Sequence, residues 1–432
     1  MFRLTSENLF KFVSIGSAVL LLFVVGMVIG YFRWGPAKLV GVSADVVSDL
    51  KRNSRAYFSD VPVQHLRPSR FAEGGVKVAD LGKVQPGVTF VTGLCGQKLG
   101  ARLYAADGSL IHEWPVNFFT IAADEMAYPY DALIHGDIMF ENGDFVANFD
   151  GRGIVRVDAC GGIVWQNRDR AHHSIDVDDN GDLWAPITVD QYKEKRIAGY
   201  PFRFDAIGRF DANTGKMLET IDLVSSVLRS DKVGLLVTNR PIRHDMMHLN
   251  DVEVLRADRA AAFPMFKAGD LILSSRHYNQ VWVIDGTDHN IKWFSAGPMI
   301  GQHDPDFQPD GTITIFDNQP GPRAAPENGY KGYRGGSRIL SLDPSDGTYR
   351  TLYQSDDRNI FYTPFRGKHQ VLKNGNILIT ETDAGRVFEV TPDGEVVWSF
   401  INKWDDTQVA WVMKATKYPE SYAAFAKTGC PQ

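Results

Sequence analysis

Cysteine is scarce here. Three residues in 432, Cys95, Cys160 and Cys430, stand at no spacing that would build a metal site. One disulfide is open to them, with Cys95–Cys160 the pairing considered, although sequence alone does not establish it. Basic stripes are missing too, and a net charge of -6 argues against a nucleic-acid binder. The chain has no GxxxxGK[ST] phosphate loop, no GxGxxG after a strand and no GxSxG elbow. Nucleotide-dependent and serine-hydrolase chemistry therefore have no support.

What the chain does have is turns and apolar residues. Forty glycines, 21 prolines and many Asn-Gly and Asp-Gly pairs point to short strands joined tightly. An apolar content of 44%, with 12% aromatic residues, fits a globular protein with a substantial core. One long uncharged run stands apart: residues 13–32, VSIGSAVLLLFVVGMVIGYF, long enough to cross a bilayer as a helix. Arg3 and Lys11 flank it on one side, Arg33 and Lys38 on the other. An uncleaved anchor is preferred to a signal peptide because the run exceeds a signal core.

One hairpin pattern recurs six times: an apolar strand, a Gly-containing turn, then a strand often ending in Trp. Trp114, Trp165, Trp293 and Trp398 mark four copies; the others turn at Gly215 and Gly347. A second hairpin precedes each of the last five copies, as in ENGDFVANF and KNGNILITE. Two hairpins make four strands, the content of one propeller blade. The expected fold is all-β: a six-bladed β-propeller with an N-terminal transmembrane helix. The expected division is a short cytoplasmic N-terminus over 1–12, the anchor over 13–32, and a stalk over 33–69. The propeller follows over 70–403, then a tail over 404–432 that forms helices or closes the ring.

Histidines recur with the blades. His135, His173, His303 and His369 each precede the first hairpin turn of their repeat, and His248 does so with an insertion. The first strand of a blade lines the central channel, so the five would converge on one mouth. Alternation lets only one of His172 and His173 face that channel. Asn250 lies two residues beyond His248, and Arg276 ends an apolar strand. Such a mouth suits a compact anion with several oxygens, because Arg donates in a fixed fork and histidine serves as nucleophile or proton shuttle. Imidazole is also a common metal ligand and Asp304 and Asp306 would add carboxylates, so a metal-dependent hydrolase or lyase is the competing chemistry. Asp317-Asn318 is read as holding the loop before Gly321.

The set HLNDVEVL, GDLILSSR, GQHDPDF with TIFDN, and NGNILITETDAGRVFEVTPDGEVVW resembles the bacterial arylsulfotransferases, particularly their membrane-anchored relatives. The likeness runs from about Arg102 to Phe400 and is strongest from His248 onward. It implies an extracytoplasmic, periplasmic propeller that moves a sulfuryl group from a phenolic sulfate to a hydroxyl acceptor, with no nucleotide donor and no cofactor. By the same resemblance His303 is the transiently sulfated nucleophile. His173, His248, Asn250 and Arg276 complete the catalytic set. Thr363, with His369 and His172, is assigned to substrate binding, and no metal is assigned. The other reading is a membrane-anchored, non-enzymatic propeller that binds an anionic glycan or a partner protein.

Overall fold

The computed structural model describes residues 17, 20, 21, 23–26, 63–95, 98–116, 133–149, 151–237, 245–321, 332, 334–427 and 430. The chain separates into two compact units, Met1–Gln64 and His65–Gln432. In the first, residues 17, 20, 21 and 23–26 are helical and exposed. Among the described residues no helix is long and apolar enough to cross a membrane, and most of the expected anchor lies outside them.

The second unit is the propeller. Among the described residues six of its seven sheets are blades of one antiparallel plan, and in blades 2 to 6 consecutive strands pair outward from the channel. Blade 2 runs Ile134–Met139, Phe145–Phe149, Ile154–Val157 and Ile163–Asn167, and blades 3 to 5 repeat this order. Their innermost strands are Asp176–Val177, Leu249–Val254 and His303–Phe307. Blade 6 begins with Lys368–Val371 and gains Gly75–Val78 as a fifth, outermost strand. Asx geometry sets the turns: Asn142, Asp310 and Asn374 each accept, through Oδ1, the amide two residues on.

The tail beyond 403 carries two strands and a 3-10 helix. Val412–Tyr418 pairs with Val88–Cys95 and becomes the innermost strand of blade 1. Gln408–Ala410 pairs with Leu66–Pro68, and Glu420–Lys427 is a 3-10 helix. Distant parts of the chain are thus sewn into blades 1 and 6, which removes the free inner edge an open ring would leave.

Three of the repeated tryptophans tie a blade to the next. The indole N–H of Trp114 donates to Gly143 O, Trp165 to Ala212 O and Trp293 to Pro344 O, each a turn of the following blade. A buried indole gains from such an acceptor, which suits these three to outer-strand positions, whereas the buried Trp398 N–H has none among the described residues.

The cysteines pair otherwise than considered. Cys160 bonds Cys430, 270 residues away, and Cys95 is free and buried. Cys95 ends the second strand of blade 1, whereas Cys160 and Cys430 both lie on the outer side of blade 2. Phe425, packed on Trp114, brings the tail there.

Candidate active site

The innermost strands are irregular where they begin. Register shifts fall between Ile134 and Asp137, Leu249 and Asp251, His303 and Asp306, and Val412 and Lys414. Bulges of this kind re-aim side chains out of the pleat. His135, Asn250, His303 and Met413, which lie at these shifts, line one pocket of about 20 Å³ together with His173 and Arg366. Room for about one water is what that volume allows.

Backbone strain gathers at the same place. His173, His248, Asp304 and Arg366 have φ values of 60°, 52°, 55° and 63°. Non-glycine residues in this region cost roughly 1–3 kcal/mol each and persist only where surrounding structure demands them. Gly136 shows how tight the mouth is, because a Cβ there would lie 2.5 Å from His173 O. Its absence lets the His135 and His173 rings approach to 4.6 Å.

From His135 the imidazoles form an arc. His173 and His248 lie 4.9 Å apart, and His248 and His277 stack at 4.7 Å. Asp245 Oδ2 accepts from His248 Nδ1 at 2.5 Å. Burial would raise the Asp245 carboxyl, but the His248 hydrogen bond and charge outweigh it and hold the group low. Burial, then the neighbouring imidazoles, beginning with His135, push His173 well below the usual histidine value. His303 is pushed down likewise, first by burial and then by the charge of Arg276. Both rings are therefore neutral near pH 7, as a nucleophile or proton acceptor must be.

The contacts of His303 are specific. Nδ1 lies 2.7 Å from Asn318 Oδ1 and 3.1 Å from Gly301 O, while Nε2 accepts the Arg366 amide at 3.1 Å. Asn250 donates through Nδ2 to Gln302 O, and its Oδ1 has no hydrogen-bond partner among the described residues. Arg276 opens a short turn, Arg276–Tyr278, directly after strand Leu271–Ser275.

Of the expected residues, His248 and Arg276 lie beside the pocket rather than in its lining, and three others stand back from it. His172 is buried behind His173, with Nδ1 2.7 Å from His173 Nδ1 and Nε2 3.4 Å from Asp205 Oδ1. The Thr363 hydroxyl donates to Phe365 O and accepts from the Asp383 amide, so it braces its own loop. His369 lies below the mouth, between Asp304 Oδ2 at 2.9 Å and Thr314 Oγ1 at 2.8 Å. Blade 6 begins at Lys368, and Arg366, Gly367 and Lys368 line the pocket there in place of a histidine.

Beneath the histidines is a second cavity of about 280 Å³, lined by Asp251, Glu253, Asp304, Asp306, Lys368 and Lys414 among others. Lys368 Nζ reaches Asp304 at 2.8 Å and Asp251 at 3.1 Å. Burial opposes the lysine charge, yet Asp251 and Asp304 more than compensate and raise it. Burial lifts Asp251 to about 6 and Asp306 well above the carboxylate range. Two clusters bring ligand atoms within 4.8 Å of one another, Asp245–His248–His277 and Asp304–Asp306–His369. In each a carboxylate is already engaged, Asp245 by His248 and Asp304 by the Lys368 ammonium, so a metal would have to displace that partner.

Sequence reading passed over Asp245, His277, Lys368 and the Arg366 amide. Only Asp245 carried a readable signal, three residues before His248. A six-bladed propeller whose mouth gathers neutral histidines, an arginine and an asparagine defines a class fitted to compact anionic groups. The chain belongs to the arylsulfotransferase (ASST) family, whose profile matches residues 136–403, more than half its length. No curated protein matches the chain. Among solved structures, a Bacteroides caccae protein of unknown function is 11% identical, with a TM-score of 0.47 over 77% of this chain and 98% of that one. A streptogramin B lyase is 13% identical, with a TM-score of 0.41 over 79% and 88%. TolB from Acinetobacter baumannii is 10% identical, with a TM-score of 0.43 over 77% and 67%.

Proposed function

We propose that this chain transfers a sulfuryl group from a phenolic sulfate ester to a phenolic or other hydroxyl acceptor through a sulfohistidine at His303. The observation that carries the reading is His303 itself: buried, uncharged, and sharing its pocket with His173 and Asn250 beside the charge of Arg276. In the first half-reaction the Nε2 lone pair attacks sulfur. The N–S bond forms as the S–O bond to the phenol breaks. The leaving phenolate takes a proton from a neighbouring histidine, a role we give to His248, oriented by Asp245. In the second, the acceptor hydroxyl attacks sulfur, the N–S bond breaks, and the hydroxyl proton returns to that histidine. Arg276 and Asn250 hold the sulfuryl oxygens as charge develops. The Arg366 amide must leave Nε2 before attack, so the mouth as observed is a resting state.

The propeller works outside the cytoplasm, on an anchor formed by residues 13–32. The Cys160–Cys430 bond supports an oxidising compartment, and the uncharged run supports the anchor. The test of function is 4-nitrophenol release from 4-nitrophenyl sulfate with a panel of phenols, for wild type and His303→Ala. Acceptor-dependent release that disappears in the variant supports transfer at His303. Equal release by both proteins would sink it.

A further inference from the structure

His303 meets an asymmetric set of partners. On Nδ1 both neighbours are oxygens, Asn318 Oδ1 at 2.7 Å and Gly301 O at 3.1 Å. On Nε2 the neighbour is a donor, the Arg366 amide. Asn318 is not free to reverse. Its Nδ2 donates to Thr363 O at 2.9 Å and to Arg366 O at 2.6 Å, two carbonyls that only an N–H can satisfy. Its Oδ1 therefore faces His303; Asn318, His303 and Thr363 are buried and Arg366 is half-buried. A buried oxygen facing a bare ring nitrogen would leave both unsatisfied, which a buried site disfavours.

We propose that Asn318 is a positioning residue that holds His303 as the Nδ1–H tautomer, so that the lone pair always lies on Nε2, toward the pocket. The same side chain ties that lone pair to its cover. By holding the carbonyls of Thr363 and Arg366, Asn318 fixes the 363–367 segment whose amide rests on Nε2. Tautomer and lid are thus set by one amide group. This inference rests on His303 being the reacting histidine, but its first test does not depend on turnover.

That test is the nitrogen NMR spectrum of the full chain labelled with ¹⁵N-histidine, the His303 signals among its 11 histidines assigned by their loss in His303→Gln. Wild type should show a protonated Nδ1 and an unprotonated Nε2 at His303; the opposite tautomer, or a mixture, overturns the proposal. Asn318→Ala should convert His303 to a mixture and lower kcat about tenfold, with KM little changed. A wild-type-like tautomer in that variant would also overturn it. The wild-type spectrum decides even where that variant fails to fold.

Asn318→Asp gives a second reading. A carboxylate on Nδ1 stabilises the imidazolium against Arg276, Lys368, His248, His173, His135 and Arg366, the charged and titratable groups around the ring. The acid limb of kcat should move upward by about one pH unit or more. An unmoved limb in a folded variant counts against the proposal. Absent sulfuryl transfer with the expected tautomer would fault the function and leave the positioning role intact.

Discussion

Asp245 Oδ2 lies 2.5 Å from His248 Nδ1, which places the His248 proton on that side and turns Nε2 away from the carboxylate. Asp245→Asn keeps the shape but removes the charge that steadies a histidinium. With His248 as the proton carrier, kcat should fall about 10²-fold while KM changes little. A donor with a more acidic leaving phenol should regain part of that rate. Wild-type kcat with every donor would remove His248 from the role.

Arg276→Lys separates charge from geometry. The ammonium keeps a positive charge near His303 but loses the planar fork. Turnover should drop about 10²–10³-fold, as for loss of one transition-state donor. Steady-state rates of the two proteins check it.

Lys368 neutralises Asp304 and Asp251 in the cavity below the mouth. Lys368→Met leaves both carboxylates without their cation and should destabilise the propeller by about 3–5 kcal/mol, read from urea unfolding. Adding Asp304→Asn should restore part of that loss. Strict additivity of the two changes would show that the pair is not coupled.

Acid should weaken the fold through the histidine mouth. His303 and His173 have folded values below 6.5, so above pH 6.5 they are neutral in both states and their contribution to stability is full. As pH falls below 6.5 the unfolded chain takes up protons that the folded chain refuses, and stability drops by about 1 kcal/mol per histidine per pH unit. Asp306 and Glu253, raised by burial, hold protons when folded and slope the other way. The measurable quantity is therefore a difference. His173→Gln should gain stability relative to wild type from pH 6.5 to 5.5, and a flat difference in melting temperature would refute the assignment.

The Cys160–Cys430 bond should matter to stability as a cross-link between chain segments far apart. Cys430→Ser should lower unfolding free energy by about 2–4 kcal/mol. Reductant should lower the melting temperature of wild type and leave the variant unchanged.

Much of the architecture was legible because it repeats. Trp114, Trp165 and Trp293 recur for one physical reason, a buried indole donating to the next blade, and that reason prints a period into the chain. Asn-Gly and Asp-Gly turns mark the hairpins by local geometry alone. The histidines ahead of those turns, and the QHD and FDN segments that carry the family resemblance, are equally local. By itself the sequence determined the blade unit and its number, and it singled out His135, His173 and His303, which share one pocket. The rest depended on contacts between segments far apart. Register shifts and positive φ at His173, His248 and Asp304 decide which side chains reach the pocket, and both come from packing between blades. His369 and Lys368 are neighbours in sequence, yet Lys368 lines the pocket with Arg366 and Gly367 while His369 turns to Asp304 and Thr314. Cys160 meets Cys430 only because Val412–Tyr418 must close blade 1 and Phe425 then packs on Trp114. Asn318 read as a loop-holder, and it is one. Only the folded ring sets its other end against His303, where two carbonyls forbid it to turn.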